Sequence, residues 1–258
     1  MTESSPSPRP AWPHSVSAVL PAFNESAVIA DVVRGADRAL IAAGLAEHEV
    51  IVVDDGSTDG TGALLEALCS EVASLRVVHH PANRGYGGAL RSGFEAATMD
   101  AVWLMDGDGQ FDPADLPLLL AVADTETVVA GYRRHREDPL MRRLNHNAFF
   151  ALVRLSFGHT VRDVNCAFKL FPRKAGQGLH ADGAMISTEL IIRARQAGLA
   201  IAEVAIPHHP RTAGTPTGAN PRVVVRAFQE LWTMRVGLRA QRAPDAPVSE
   251  SAASPPSL

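Results

Sequence analysis

The sequence predicts an α/β fold, a mostly parallel, twisted sheet with helices on both faces. Three observations carry the prediction. Short runs of Val, Ile and Leu recur without polar alternation, as strands buried on both faces require. Segments with apolar residues at helical spacing separate these runs. Each run is followed by a polar cluster, on the side of the strand where open α/β sheets place their ligands.

The runs at 16–20, 50–53, 75–78, 101–105 and 127–130 read as strands. Between the first two, Ile29, Val32, Val33, Ala36, Leu40 and Ile41 recur at the spacing of an amphipathic helix. Segments 60–72, 85–98 and 113–122 read as further helices, and strand-like runs end at His79-His80 and at His208-His209. Residues 1–14 and 241–258 are rich in Ser and Pro and read as disordered tails. They flank a single predicted domain at 15–240, a size that one core can serve.

Composition narrows the classes of function. At 258 residues, 46% hydrophobic and 20% charged, the chain has ample material for a core. A net charge of -4 gives no global attraction to nucleic acid, so an anionic ligand must meet a local basic cluster. The two cysteines, Cys69 and Cys166, have no metal-ligand spacing and read as reduced thiols of a cytoplasmic protein. The start has no signal-peptide pattern, and the apolar stretches fall short of the ~20 residues that span a bilayer. Peripheral contact with the inner face of a membrane is left open, because basic residues precede the apolar segment 148–157.

The polar clusters are Asn24-Glu25, Asp54-Asp55, Asn83-Arg84, Asp106 to Gln110, and Tyr132-Arg133. In Asp106-Gly107-Asp108-Gly109-Gln110, two carboxylates one residue apart leave a buried strand and can approach one hard cation. Taken alone the loop is a solvated turn; its place beside four companion clusters favours the cation. Asp54 and Asp55 can accept hydrogen bonds from a nucleobase N–H or a ribose hydroxyl, while Ser57, Thr58 or Asp59 caps the next helix. The glycine-rich turn 83–88 suits either phosphate contact or close packing of loop on helix. Arg133, Arg142 and Arg211 suit phosphate clamping, and His209 is placed to approach a metal or diphosphate.

Assembled, the motifs PAFNE (21–25), VVDDGSTDGT (52–61), NRGYGGALRSGF (83–94), MDGDGQFDP (105–113), Gly131-Tyr132-Arg133, DVNCAFKLF (163–171) and HPRTAG (209–214) resemble the inverting family 2 glycosyltransferases of the GT-A fold. The branch most similar is the dolichyl- and polyprenyl-phosphate sugar synthases. The resemblance implies a nucleotide-sugar donor bound by Pro21, Phe23, Glu25, Val53 and Asp55, with Gly107 against it. It implies Mg2+ or Mn2+ on Asp106, Asp108 and Gln110, and phosphates held by Arg133 and Arg211. It also implies a lipid-phosphate acceptor near Arg142.

Two positions depart from that branch: Thr217 replaces a usual lysine, with Arg222 as a substitute cation, and Asn147 replaces an arginine that meets the acceptor. An alcohol or amine acceptor, a soluble metabolite or a polysaccharide, would need a general base. Asp163 is the first candidate and Glu189 the second; the alternative for Asp163 is a structural pair with Arg142 or Arg143. A protein that binds nucleotide sugars without turnover is the remaining reading.

Overall fold

A computed structural model describes residues 12–45, 47–133, 161–183 and 185–210. The expectations for Arg142, Arg143, Asn147, segment 148–157, Arg211, Thr217, Arg222, residues 1–11 and the tail 241–258 therefore lie outside the described residues. Of the expected N-terminal tail, residues 12–14 are described, with Pro13 buried and Trp12 packed against the core.

The chain alternates strand and helix through its first half. β1 (Ser15–Ala22) leads to α1 (Ile29–Ala42), β2 (Glu47–Asp54), α2 (Thr61–Leu68), β3 (Leu75–His79), α3 (Tyr86–Ala96) and β4 (Ala101–Met105). A 3-10 turn (Pro113–Asp115), α4 (Leu116–Leu120) and β5 (Thr127–Arg133) follow. After the undescribed segment come β6 (Phe168–Pro172), α5 (Arg173–Gly176), α6 (Ile186–Gln196) and β7 (Ala200–Ile206). The described strands form one seven-stranded sheet in the order β3-β2-β1-β4-β6-β5-β7.

The five strands expected from apolar runs are all present, and the mostly parallel sheet stands with one exception. β6 pairs antiparallel with both β4 and β5. Its sequence, Phe168-Lys169-Leu170-Phe171-Pro172, is fully buried, yet the lysine within it interrupts the apolar signal that marks a central strand. β7 closes the edge, parallel to β5, with Glu203 exposed.

Helices cover both faces, as expected. On one side, Ile29, Val32, Val33, Ala36 and Leu40 of α1 pack with Leu65 and Leu68 of α2 and Leu116 and Leu119 of α4. On the other, Leu90 and Phe94 of α3 pack with Ile186, Leu190 and Ile191 of α6. Ile41, read from the sequence as part of the buried stripe of α1, is 59% exposed; the stripe ends at Leu40. Trp103 of β4 is fully buried, with Phe168 edge-on at 5.6 Å, so truncating it would cost roughly 3–5 kcal/mol. Among the described residues no helix is long and apolar enough to cross a membrane.

Register fixes which loops meet. β1 and β2 pair from Ser15↔Glu47 to Ala22↔Asp54, and β2 and β3 end at Asp54↔His79. Residues 23–26, 55–59 and 80–85 therefore emerge side by side at the carboxyl edge, next to the loop after β4. At the opposite edge, Glu49 is buried among Ser17, Thr98 and Arg76.

Candidate active site

The first wall of the site is the loop after β1, laced to the loop after β2. The Asn24 amide donates to Ser57 Oγ (2.9 Å), and Asn24 Oδ1 accepts from the Thr58 amide (2.8 Å). The Glu25 amide donates to Thr61 Oγ1, and that of Ser26 to Asp59 Oδ2. Asp59 Oδ1 also accepts from the amide of Thr61, the first residue of α2, but the N-cap itself is Gly60, so none of Ser57, Thr58 and Asp59 takes the expected cap position. Pro21 lies at the end of β1 and Glu25 is partly buried, while Phe23 presents its ring at 42% exposure. Val53 is fully buried among the residues beneath α3, main chain and side chain alike, so its expected contact with the nucleotide finds no exposed atom.

Asp54 and Asp55 are buried, and they divide their work. Asp54 Oδ1 accepts from the Ser57 amide, and its Oδ2 meets His79 Nδ1 at 3.1 Å. Asp55 Oδ1 accepts from His80 Nδ1 (2.6 Å) and the Arg84 amide (2.8 Å), and its Oδ2 from the Gly85 amide (2.9 Å). The glycine-rich turn is thus wrapped around Asp55. Of its two readings, close packing prevails at Gly87. A Cβ there would lie 2.4 Å from the carbonyl carbon of Asp182, and the Gly88 amide already donates to Asp182 O. Sequence reasoning had no means of seeing residues 181–182 in that position.

The acidic loop leaves β4 against β1. The Gly107 amide donates to Pro21 O (3.3 Å), and a Cβ at Gly107 would meet that oxygen and Ile29 Cδ1 at 2.9 Å. Only glycine lets the loop seat this closely, which holds Asp106 and Asp108 at the sheet edge. Asp108 is buried and its Oδ1 accepts from the Gln110 amide. Asp106 Oδ1 is shielded from solvent and has no hydrogen-bond partner. Burial first, and then the charge of Asp108, pushes the Asp106 carboxyl up to about 7. The Tyr86 hydroxyl, Lys169 and Arg133 oppose that rise. Burial and the same two aspartates in turn raise the Tyr86 phenol well above its ordinary range.

A buried carboxylate oxygen without a donor is uncommon and calls for a ligand. Two adjacent carboxylates, one with an unpartnered oxygen, fit a hard divalent cation that prefers oxygen donors. Gln110 Nε2 donates to His209 O (3.2 Å) and the His209 amide donates to Gln110 O, so Oε1 is the atom with which Gln110 could join. His209 itself is exposed, with Asp115 among its charged neighbours, contrary to its expected approach to the metal. His208 is the histidine that feels the charge of the acidic loop. Its ring stands edge-on to Phe111 at 5.1 Å, and its pKa is lowered by burial and Arg133 against the pull of Asp108 and Asp163.

Arg133, at the end of β5, grips Asp163 with two bonds, Nε to Oδ2 at 2.7 Å and Nη2 to Oδ1 at 3.0 Å. Among the described residues Asp163 is thus held by Arg133; the expected pair with Arg142 or Arg143 lies outside them. Glu189 is likewise engaged. Its Oε2 accepts from the His180 and Ala181 amides at 2.8 Å, and Oε1 pairs with Arg193. Both candidate bases serve as anchors in this structure. Lys169, missed from sequence, is fully buried and donates from Nζ to the carbonyls of Val164 and Cys166, tying down the turn that carries Asp163. Its signal was visible as a lone charge inside an apolar run.

Comparison with known proteins agrees with this arrangement. The family model described as glycosyl transferase family 2 matches residues 17–178. Glycosyltransferase AglD of Haloferax volcanii is 34% identical over 81% of this chain and 35% of its own length. The undecaprenyl-phosphate 4-deoxy-4-formamido-L-arabinose transferase of Shewanella sediminis is 32% identical over 77% of this chain and 60% of its own. The chain thus spans a third to three-fifths of the length of these relatives. Among solved structures, glucosyl-3-phosphoglycerate synthase of Mycobacterium tuberculosis with UDP superposes with TM-score 0.66 and 26% identity, covering 86% of this chain and 80% of that one. The same enzyme with Mn2+, UDP-glucose and phosphoglyceric acid gives 0.67 and 25%, over 89% and 85%. The fold is therefore GT-A, and the chain belongs to glycosyl transferase family 2.

Proposed function

We propose that this chain is a metal-dependent inverting transferase that moves a hexose from a UDP- or GDP-sugar to polyprenyl phosphate. The observation that carries the reading is the unpartnered, buried Oδ1 of Asp106 beside Asp108, at the edge where the loops after β1, β2 and β3 converge. In this reading Pro21, Phe23, Glu25 and Asp55 bind the nucleotide, with Gly107 against the donor. Asp106 and Asp108, with Gln110, hold Mg2+ or Mn2+. When bound, that cation neutralises charge developing on the leaving diphosphate.

The remaining steps belong to the chain. A phosphate oxygen of the acceptor attacks the anomeric carbon in line, and the bond from that carbon to the diphosphate breaks with both electrons leaving on oxygen. Configuration inverts. The acceptor phosphate is already anionic, so no protein base is required. The double grip of Arg133 on Asp163 supports this, because a carboxylate engaged at both oxygens is poorly placed to take a proton. Arg133 and Arg211 hold phosphates, and Arg142 and Asn147 meet the acceptor. Relatives named as undecaprenyl-phosphate transferases support the lipid acceptor.

The structural resemblance to a synthase crystallised with phosphoglyceric acid favours a second reading, a small phosphorylated acceptor with the same donor chemistry. Transfer assays with UDP- and GDP-sugars against polyprenyl phosphate and phosphoglycerate decide between them. Lipid-linked sugar and release of free nucleoside diphosphate are expected. Product with phosphoglycerate alone would move the acceptor, and turnover undiminished in EDTA would remove the metal.

A further inference from the structure

Behind the nucleotide wall lies a buried histidine that the proposed reaction does not use. His80 and Asp55 are both almost fully shielded, and Nδ1 meets Oδ1 at 2.6 Å. On its other side, His80 Nε2 lies 2.9 Å from Ser92 Oγ and 3.3 Å from Arg84 Nη1. A guanidinium can only donate, so Nε2 accepts, and Nδ1 carries the proton that is given to Asp55. The ring orientation is thereby set by Arg84 and Ser92, and the ring in turn sets the carboxylate.

A carboxylate has about four acceptor positions. At Asp55, His80 and the Arg84 amide fill both on Oδ1, and the Gly85 amide fills one on Oδ2. One position, on Oδ2, is left. It can serve a single N–H or O–H of a nucleotide.

We propose that His80 is a positioning residue for nucleotide recognition: its Nδ1–H locks the Asp55 carboxylate so that one Oδ2 lone pair faces the nucleotide. This rests on the reading of Asp55 as a nucleotide ligand. Without that donor, Oδ1 loses its shortest bond and the carboxylate is free to turn, taking the 83–85 loop with it.

The test is calorimetric titration of the full chain with UDP, and separately GDP, in Mn2+, with melting curves for each variant. His80→Leu is expected to weaken binding of the nucleotide that the wild type takes by about tenfold or more. In His80→Asn the amide nitrogen stands near the place of Nδ1 and restores the bond, so affinity returns to within about threefold of wild type. Should His80→Leu fail to fold, His80→Gln, whose nitrogen falls near Nε2, replaces it and is expected to bind weakly. Wild-type affinity in the Leu or Gln variant, whatever its melting temperature, overturns the proposal, as does an Asn variant as weak as they are. Asp55→Ala separates the two layers. If it leaves affinity unchanged, or if the wild type binds neither nucleotide, the reading of Asp55 falls and His80 with it; if it weakens binding while His80→Leu does not, only His80 falls.

Discussion

Glu49 and Asp106 are carboxylates withdrawn from solvent at opposite edges of one sheet, and their surroundings differ completely. Glu49 Oε1 accepts from Ser17 Oγ, the Thr98 amide and Thr98 Oγ1 at 2.7–2.8 Å, and Oε2 pairs with Arg76. Burial raises its pKa, but the bonds from Thr98, Ser17 and Arg76 outweigh that, and the net shift is downward. Asp106 has an oxygen with no partner, a second carboxylate beside it, and a pKa pushed up to about 7. The first group is a finished structural joint. The second lacks such a partner at one oxygen, where the proposed cation would supply it. Proteins keep such deficits where a ligand completes them, which is why the acidic loop, and not the better-bonded acid, marks the active site.

The largest expected effect comes from removing that deficit. Asp108→Ala should lower transfer by about a thousandfold or more, since metal stabilisation of a leaving group is worth several kcal/mol. Its metal-free melting temperature should hold or rise, because a repulsion is lost. A variant with full turnover, measured as release of nucleoside diphosphate, would place Asp108 with Glu49 as a structural acid. Glu49→Gln should do the reverse. It weakens several bonds to a charged acceptor and should destabilise the fold by about 1–3 kcal/mol in denaturant titration. At temperatures below its transition, kcat and donor KM should match wild type; a loss of activity in the folded variant would show that the far edge is coupled to the site.

The two acids also respond oppositely to pH. Asp106, with its folded pKa raised, contributes to metal-free stability in full below the ordinary aspartate range, and that contribution is lost as pH rises through about 7. Glu49, with its folded pKa lowered, contributes above the ordinary glutamate range and loses it as pH falls. A cation binding at Asp106 below that pKa must displace a proton. Apparent Mn2+ affinity should thus fall about tenfold per pH unit below pH 7 and flatten above it. Mn2+ titration from about pH 8 down to about pH 5.5 checks this. A flat profile would mean that Asp106 is ionised throughout and the deficit is already filled.

How much of this was legible in sequence follows from which forces are local. The strands at 16–20, 50–53 and 101–105 announced themselves because both faces are buried, which leaves a continuous apolar run. β6 did not, because Lys169 sits inside it, and a buried ammonium held by the Val164 and Cys166 carbonyls is a tertiary solution with no local signature. Ala200–Ile206 shows no alternation of polar and apolar residues that would mark an edge strand, and only the end of this run at His208-His209 is legible. The loop 106–110 was located correctly by its place after β4. Its neighbours Tyr86, Lys169 and His208 come from α3, β6 and the stretch after β7, and no spacing rule connects them. A structural pair for Asp163 is expected from sequence, but its bond to Arg133, thirty residues back, is not, because β5 delivers that side chain to the turn before β6.

His79 tests whether position or saturation separates the two kinds of acid. It stands at the carboxyl edge, near the site, yet bridges Asp54 Oδ2 at 3.1 Å and Glu66 Oε1 at 2.8 Å, as fully bonded as Glu49. The hydrogen bond to Glu66 raises its pKa, burial opposes this, and Asp54 adds to the rise. The stability it contributes is fully present below the ordinary histidine pKa of 6.5 and is lost as pH climbs through the raised value. The ring is 42% exposed, so solvent screens the pair and the gain is a few tenths of a kcal/mol. His79→Gln should therefore lower the melting temperature by only about 1–2 °C near pH 6 and by less near pH 8. Transfer should be unaffected, because saturation makes His79 structural despite its address. If the variant instead loses donor affinity while its melting curve stays put, proximity to the sheet edge outranks saturation, and Asp54 belongs to the nucleotide site alongside Asp55.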